Sequence, residues 1–116
     1  AITDFQKAIQ LESTFAFPYI DLSKIYIDEF KDWDKAIVVL NQAIDINPKF
    51  PVAYNNLGVC YFNKGNYTQA IADYTKAIEL DPKYHQSYTN RANTYDKIGR
   101  ADLAQADRLK AAELKK

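Results

Sequence analysis

The chain has 116 residues, 47% of them hydrophobic, 26% charged and 14% aromatic, which is the size and make-up of one globular domain rather than a disordered tail. Fifteen Lys and Arg against fifteen Asp and Glu leave a formal charge of zero, so the electrostatic footprint that grips a phosphate backbone is missing and no nucleic-acid partner is expected. No run approaches the ~18 apolar residues of a spanning helix, and the first dozen residues lack a basic segment followed by an apolar core, so neither membrane insertion nor a signal peptide is expected.

In chain order, the first segment, residues 1–12, reads Ala-Ile-Thr-Asp-Phe-Gln-Lys-Ala-Ile-Gln-Leu-Glu. It returns at 36–47, at 70–81 and, more weakly, at 104–115. The starting alanines Ala1, Ala36, Ala70 and Ala104 stand 35, 34 and 34 residues apart, a period that signals stacked copies of one unit. In the third copy Ala70, Tyr74, Ala77 and Ile78 are spaced i, i+4, i+7 and i+8, one stripe of an amphipathic helix. Methionine is absent, also from position 1, and the chain is expected to be part of a longer protein.

A second segment alternates with the first. Tyr19, Leu22, Ser23 and Tyr26 correspond to Tyr54, Leu57, Gly58 and Tyr61, and then to Tyr88, Arg91, Ala92 and Tyr95. Their i, i+3, i+4, i+7 spacing is again one helical stripe, so each unit is expected to be two helices. Gly65 and Gly99 fall just after the first helix, where a residue of positive φ closes it at little cost. Asn47-Pro48 and Asp81-Pro82 stop the second helix. The first unit has one extra residue and no glycine around Glu29 to Asp32, and a reshaped turn is expected there. Gly58, Ala70 and Ala77 are small as a close helix crossing requires, since a larger side chain would overpack it by ~1–3 kcal/mol. The tyrosines and Phe5 fill the space between them.

Tyrosine, leucine, glycine and tyrosine in one helix, then alanine, a large apolar residue, alanine and proline, resemble the tetratricopeptide repeat (TPR). Residues 51–84 fill eight signature positions with Tyr54, Leu57, Gly58, Tyr61, Ala70, Tyr74, Ala77 and Pro82. Residues 16–50 carry Ser23 for the glycine and Leu40 for the aromatic, and residues 85–116 carry Arg91 for the leucine and Arg108 for the aromatic. Residues 1–15 resemble the second helix of a preceding repeat. The resemblance implies an all-α, right-handed solenoid of antiparallel helix pairs, about three and a half repeats in a single domain. It also implies a protein-binding scaffold.

Little else in the chain suggests chemistry. His85 is the single histidine, at the expected start of a helix, and no Cys/His set has metal-ligand spacing. Three glycines and no nucleophile or phosphate-loop motif speak against catalysis. Cys60 reads as a small packing residue. No catalytic residue, metal or cofactor is expected, and the unpaired cysteine favours a reducing compartment, hence the cytoplasm.

The resemblance further implies that ligands lie in a concave groove, at the second, fifth, sixth, ninth, twelfth and thirteenth positions of each repeat. These are Phe17, Ile20, Asp21, Lys24, Ile27 and Asp28, then Val52, Asn55, Asn56, Val59, Phe62 and Asn63, then Gln86, Thr89, Asn90, Asn93, Asp96 and Lys97. A peptide segment of a partner protein is the expected ligand. Phe17, Ile20, Val59 and Phe62 would anchor apolar side chains, and Asn55, Asn56, Asn90 and Asn93 would pair with the main chain. Chaperone-binding members of the family hold a C-terminal carboxylate with five residues, at positions occupied here by Ile20, Lys24, Asn56, Gln86 and Asn90. Only Asn56 matches, so Hsp70 and Hsp90 tails are not expected partners.

Charge is uneven along the chain. Residues 1–50 hold five cationic and eight acidic side chains, and residues 85–116 hold seven and four. Two further readings therefore stand beside the groove: a homo-oligomer formed through terminal helices around Phe5 and Ile9, and a non-catalytic targeting or regulatory domain of a larger enzyme.

Overall fold

The computed structural model describes residues 16–116. Residues 16–25 lie in helix α1, which runs into a π-helical turn at Tyr26–Phe30. There follow α2 (Trp33–Ile46), α3 (Pro51–Asn63), α4 (Tyr67–Leu80), α5 (His85–Lys97) and α6 (Ala101–Leu114). No strand occurs among the described residues. Each helix packs on the next in the chain, α2 on α3, α3 on α4, α4 on α5 and α5 on α6, the neighbour-on-neighbour order of an all-α solenoid. The expected helix in residues 1–15 lies outside the described residues. Among those described, no helix is long and apolar enough to cross a membrane.

One backbone hydrogen bond closes every helix pair. The carbonyls of Tyr26, Tyr61 and Tyr95 accept from the N–H groups of Asp32, Asn66 and Arg100 at 2.9, 2.9 and 2.8 Å. The residue before each donor is left-handed: Lys31 at φ 52°, Gly65 at 82° and Gly99 at 79°. The glycines thus do what their spacing predicts. In the first unit the bond spans six residues instead of five, and the extra residue is taken up as the π-helical turn. Lys31 takes the glycine's place there, at a backbone cost of roughly 1–2 kcal/mol. Asp32 and Asn66 then cap α2 and α4, accepting from the N–H groups of Lys35 and Gln69, each at 3.2 Å. Between units, the side chains of Asn47 and Asp81 accept from the N–H groups of Lys49 and Lys83 at 3.1 Å, folding the chain around Pro48 and Pro82.

Small side chains sit at the crossings. Ala16, Ala36, Ala43, Ala53, Ala70, Ala77, Ala92 and Ala104 are wholly buried. At Gly58 an added Cβ would meet Tyr74 Cε1 at 2.4 Å, and Tyr74 is itself buried.

The third unit departs from this apolar scheme where its sequence does. Arg91, standing where the second unit has Leu57, forms a two-pronged ion pair with buried Asp107, both bonds at 2.8 Å. A third bond reaches Thr75 Oγ1 of α4 at 3.2 Å, and the guanidinium lies 5.6 and 5.8 Å from the rings of Tyr88 and Tyr95. One unit earlier, Asp73 occupies the place of Asp107, and Leu57 stands where Arg91 does. Its Oδ1 accepts from Gln69 Nε2 at 3.1 Å, and its Oδ2 is buried without a partner among the described residues. Burial pushes the Asp73 carboxyl up to about 6 from the usual carboxylate range, against a smaller lowering by Gln69.

Two stability measurements follow. Gly58→Ala should lower the urea midpoint, because ~1–3 kcal/mol of overpacking exceeds the ~1 kcal/mol that alanine gains in a helix. For Asp73, the folded carboxyl keeps its proton to about pH 6 while the unfolded one loses it near 3.9. Its contribution to stability therefore falls as pH rises through this window. Asp73→Asn should stabilise the domain by about 2–3 kcal/mol at pH 7 and near zero below pH 4, read as the variant-minus-wild-type difference in unfolding free energy across pH.

Candidate functional site

The first helices of the three units, α1, α3 and α5, carry the eighteen positions assigned to a groove, and the structure sorts them. Ile20 is only 3% exposed and belongs to the core cluster with Ala16, Leu40 and Leu57. Asn55 is 5% exposed and bridges to α5, where its Oδ1 accepts from Ser87 Oγ at 2.8 Å and Asn90 Nδ2 at 3.1 Å. Neither offers its side chain to a ligand, which corrects the expectation for both. The physical reason is shared. Both stand at the fifth position of their unit, and for Asn55 the groups it meets belong to the first helix of the next unit. Thr89, the fifth residue of the third unit, is half-buried and donates its hydroxyl to the His85 carbonyl at 3.3 Å.

The other positions remain accessible to different degrees. Phe17 is exposed and packs edge-on to Phe50 with ring centroids 5.1 Å apart. Asp21, Lys24 and Asp28 are exposed, and Ile27 is half-buried against the core. Val52, Val59 and Phe62 are half-buried along α3, with Phe62 edge-on to Tyr67 at 5.5 Å. Asn63 is exposed and donates Nδ2 to the Val59 carbonyl at 2.8 Å. Gln86, Asn93 and Lys97 are exposed along α5, and Asn90 is half-buried there.

Asn56 differs from its neighbours. It is half-buried, and its Nδ2 is screened from solvent without a hydrogen-bond partner among the described residues. Such a donor is costly to leave unpaired, by about 1–3 kcal/mol. Val52 lies one turn before it and Val59 one turn after it on the same helix.

Residue-by-residue reading of the first helices missed Arg108. It stands on α6 where the repeat pattern has an aromatic, yet it leaves the core and pairs with Asp96, while also donating to Asn93 Oδ1 at 3.1 Å. An arginine from the second helix thereby joins the α5 end of the row, its charge met by Asp96. The signal was present in the sequence, since a charged residue at an aromatic core position has to find polar company.

Groups capable of covalent or metal chemistry are not assembled here. Cys60 is fully buried, and burial pushes its thiol up to about 12, so little thiolate forms at neutral pH. His85 opens α5 with Nδ1 screened and unpaired. Among the described residues no group of His, Cys, Asp and Glu could hold a metal ion.

Helix pairs of this kind in a regular 34-residue array are matched by known families. The tetratricopeptide repeat profile matches residues 51–84, a second tetratricopeptide repeat profile matches 73–106, and a TPR repeat profile matches 31–65. The chain belongs to the tetratricopeptide repeat family. No curated protein sequence matches it. Among solved structures, the crystal structure of MamA is similar at 31% identity and TM-score 0.77, covering 98% of this chain and 66% of MamA. The second TPR of Spaghetti (RPAP3), bound to the HSP90 peptide SRMEEVD, is similar at 23% identity and TM-score 0.86, covering 93% of this chain and 98% of that one. The first TPR of Spaghetti, bound to the same peptide, is similar at 24% identity and TM-score 0.83, covering 88% and 80%. These last two likenesses are of fold.

They nonetheless correct one expectation. Hsp90 tails were set aside because four of five clamp positions lack the usual residue, but two structures that share this fold hold an HSP90 peptide, and the exclusion falls. Counting five positions on first helices weighs only the grip on terminal carboxylates. It leaves out the rest of a peptide and any cation arriving from a second helix, as Arg108 does here.

The split between structural and accessible asparagines can be measured. Asn55→Ala should destabilise the domain by about 1–3 kcal/mol, because Ser87 and Asn90 lose their buried acceptor. Asn63→Ala, at an exposed site, should change stability by less than ~0.5 kcal/mol in the same urea titration.

Proposed function

We propose that this TPR domain binds a peptide segment of a partner protein along the row formed by α1, α3 and α5, and has no catalytic activity of its own. The TPR fold itself supports a protein-interaction module; the groove and its residues are the finer part of the proposal. The observation that carries it is the run of half-buried side chains Val52, Asn56, Val59 and Phe62 along one stretch of α3. The accessible part of the Asn56 amide would meet the main chain of a bound peptide, and the valines and Phe62 would receive the adjoining apolar side chain. Lys24, Asn63, Gln86, Asn90, Asn93 and Lys97 line the rest of the row, with Phe17 at its α1 end. Lys97 at the α5 end suits an acidic stretch of peptide, the chemistry of the SRMEEVD peptide that both Spaghetti domains hold. A cytoplasmic location is part of the same proposal and rests on the unpaired cysteine.

The test is a pull-down from cell lysate and, in parallel, titration with fluorescent SRMEEVD, comparing wild type with Asn56→Ala and Phe62→Glu after circular dichroism has confirmed that both variants fold. Asn56→Ala is expected to weaken binding about tenfold, the equivalent of 1.4 kcal/mol, and Phe62→Glu to abolish it. Partners and peptide retained equally by all three proteins would place the binding surface elsewhere.

A further inference from the structure

The charges along the row are sorted by helix. On α1, Asp21, Lys24 and Asp28 are exposed, two acids against one lysine. Lys24 stands three residues after Asp21 and four before Asp28, so both carboxylates share one cation and an acidic excess remains. From Pro51 to Asn63, α3 holds no charged residue, and Lys64 just beyond it is paired with Asp34 of α2. On α5, Arg91 is taken by Asp107 and Asp96 by Arg108. Lys97 is exposed and enters no ion pair among the described residues. The row thus passes from an acidic excess on α1, through neutral α3, to a cation on α5.

The three helices stand side by side. Ile20 of α1 shares the core cluster with Ala53 and Leu57 of α3, and Asn55 of α3 bonds to Ser87 and Asn90 of α5. Two helix spacings put the charged ends about 16–20 Å apart, beyond the ~8–10 Å over which salt lets exposed charges be felt. Each end therefore acts on its own part of a ligand. A seven-residue extended peptide, reaching at most about 25 Å, is long enough to meet both.

We infer that the ligand of this row is a peptide with segregated charges: a basic side chain over Asp21 and Asp28, an uncharged stretch across α3, and acidic side chains over Lys97. This rests on the groove reading above and adds to it the class of ligand and its orientation. The order of charges in a peptide then sets its direction, because the reverse placement would set like charges against each other at both ends. SRMEEVD, with its arginine near one end and its glutamates and aspartate toward the other, would lie with its first residues at α1 and its last at α5.

The experiment uses SRMEEVD carrying a nitroxide on a cysteine added at either end, with relaxation of the domain's amides as the readout. The label at the start should broaden residues 21–28 more than 90–97, and the label at the finish should do the reverse. In titrations, Lys97→Glu and Asp28→Lys should each weaken SRMEEVD about two- to fivefold, the size of one exposed charge pair, and the loss should vanish in 1 M salt, where screening acts within ~3 Å. SEMEEVD, its arginine replaced by glutamate, should bind Asp28→Lys better than wild type. The opposite broadening pattern, equal broadening from both labels, or no response to either charge reversal would overturn the inference. If Phe62→Glu still abolished binding in that case, the groove would stand and only its polarity would fall. If wild type bound neither peptide, the groove reading would fall and the inference with it.

Discussion

Because Gly58 has no side chain, the ring of Tyr74 lies where a Cβ would stand 2.4 Å away, and α3 and α4 approach until backbone and ring are in contact. Much else follows from that approach. Helices this close leave room for alanine at the neighbouring crossings and for one large side chain per gap, hence the alternation of small residues with tyrosine and leucine. They also leave no inner space in which a unit could bury its own apolar stripe on all sides. Each pair must be completed by the next one along the chain, and stability becomes a sum over neighbours.

That dependence explains where polar groups are tolerated. Asp107 is buried but answered by Arg91 through two hydrogen bonds, with Thr75 and two tyrosine rings taking up the rest of the guanidinium. Asp73 sits in the same place one unit earlier without an arginine, and its carboxyl drifts toward the neutral form. Asn55 is a third case, buried at the seam between units, with its Oδ1 accepting from two residues of the next unit. A polar residue at a seam ties adjacent pairs together, whereas Asn56 in the row keeps a buried amide nitrogen without a partner among the described residues.

How much of this could be read from the amino-acid order depends on the distance over which the deciding contact acts. The helix pairs, their ends and the reshaped first turn follow from residues within one or two turns of each other, and Gly65, Gly99 and the lack of a glycine between Glu29 and Asp32 announce them. The groove positions follow from helical spacing only up to a rotation about the axis. Whether Ile20 or Asn55 faces solvent or a neighbour is settled by a helix some thirty residues further on. Arg108 shows the same limit from the other side, since a substitution at a core position redirected a side chain across its unit to Asn93 and Asp96. Local patterns specify the elements; the partners of each face come from the stacking.

The π-helical turn at Tyr26–Phe30 bears on how such an array tolerates insertion. One residue added inside an α-helix would rotate everything after it by about 100° and turn the apolar stripe of α2 away from α3. Here the addition is absorbed before the chain leaves α1, because the carbonyl of Tyr26 still receives the N–H that opens the next helix. The phase of every later unit is preserved, and the array can vary in sequence length at its corners while remaining in register along its axis.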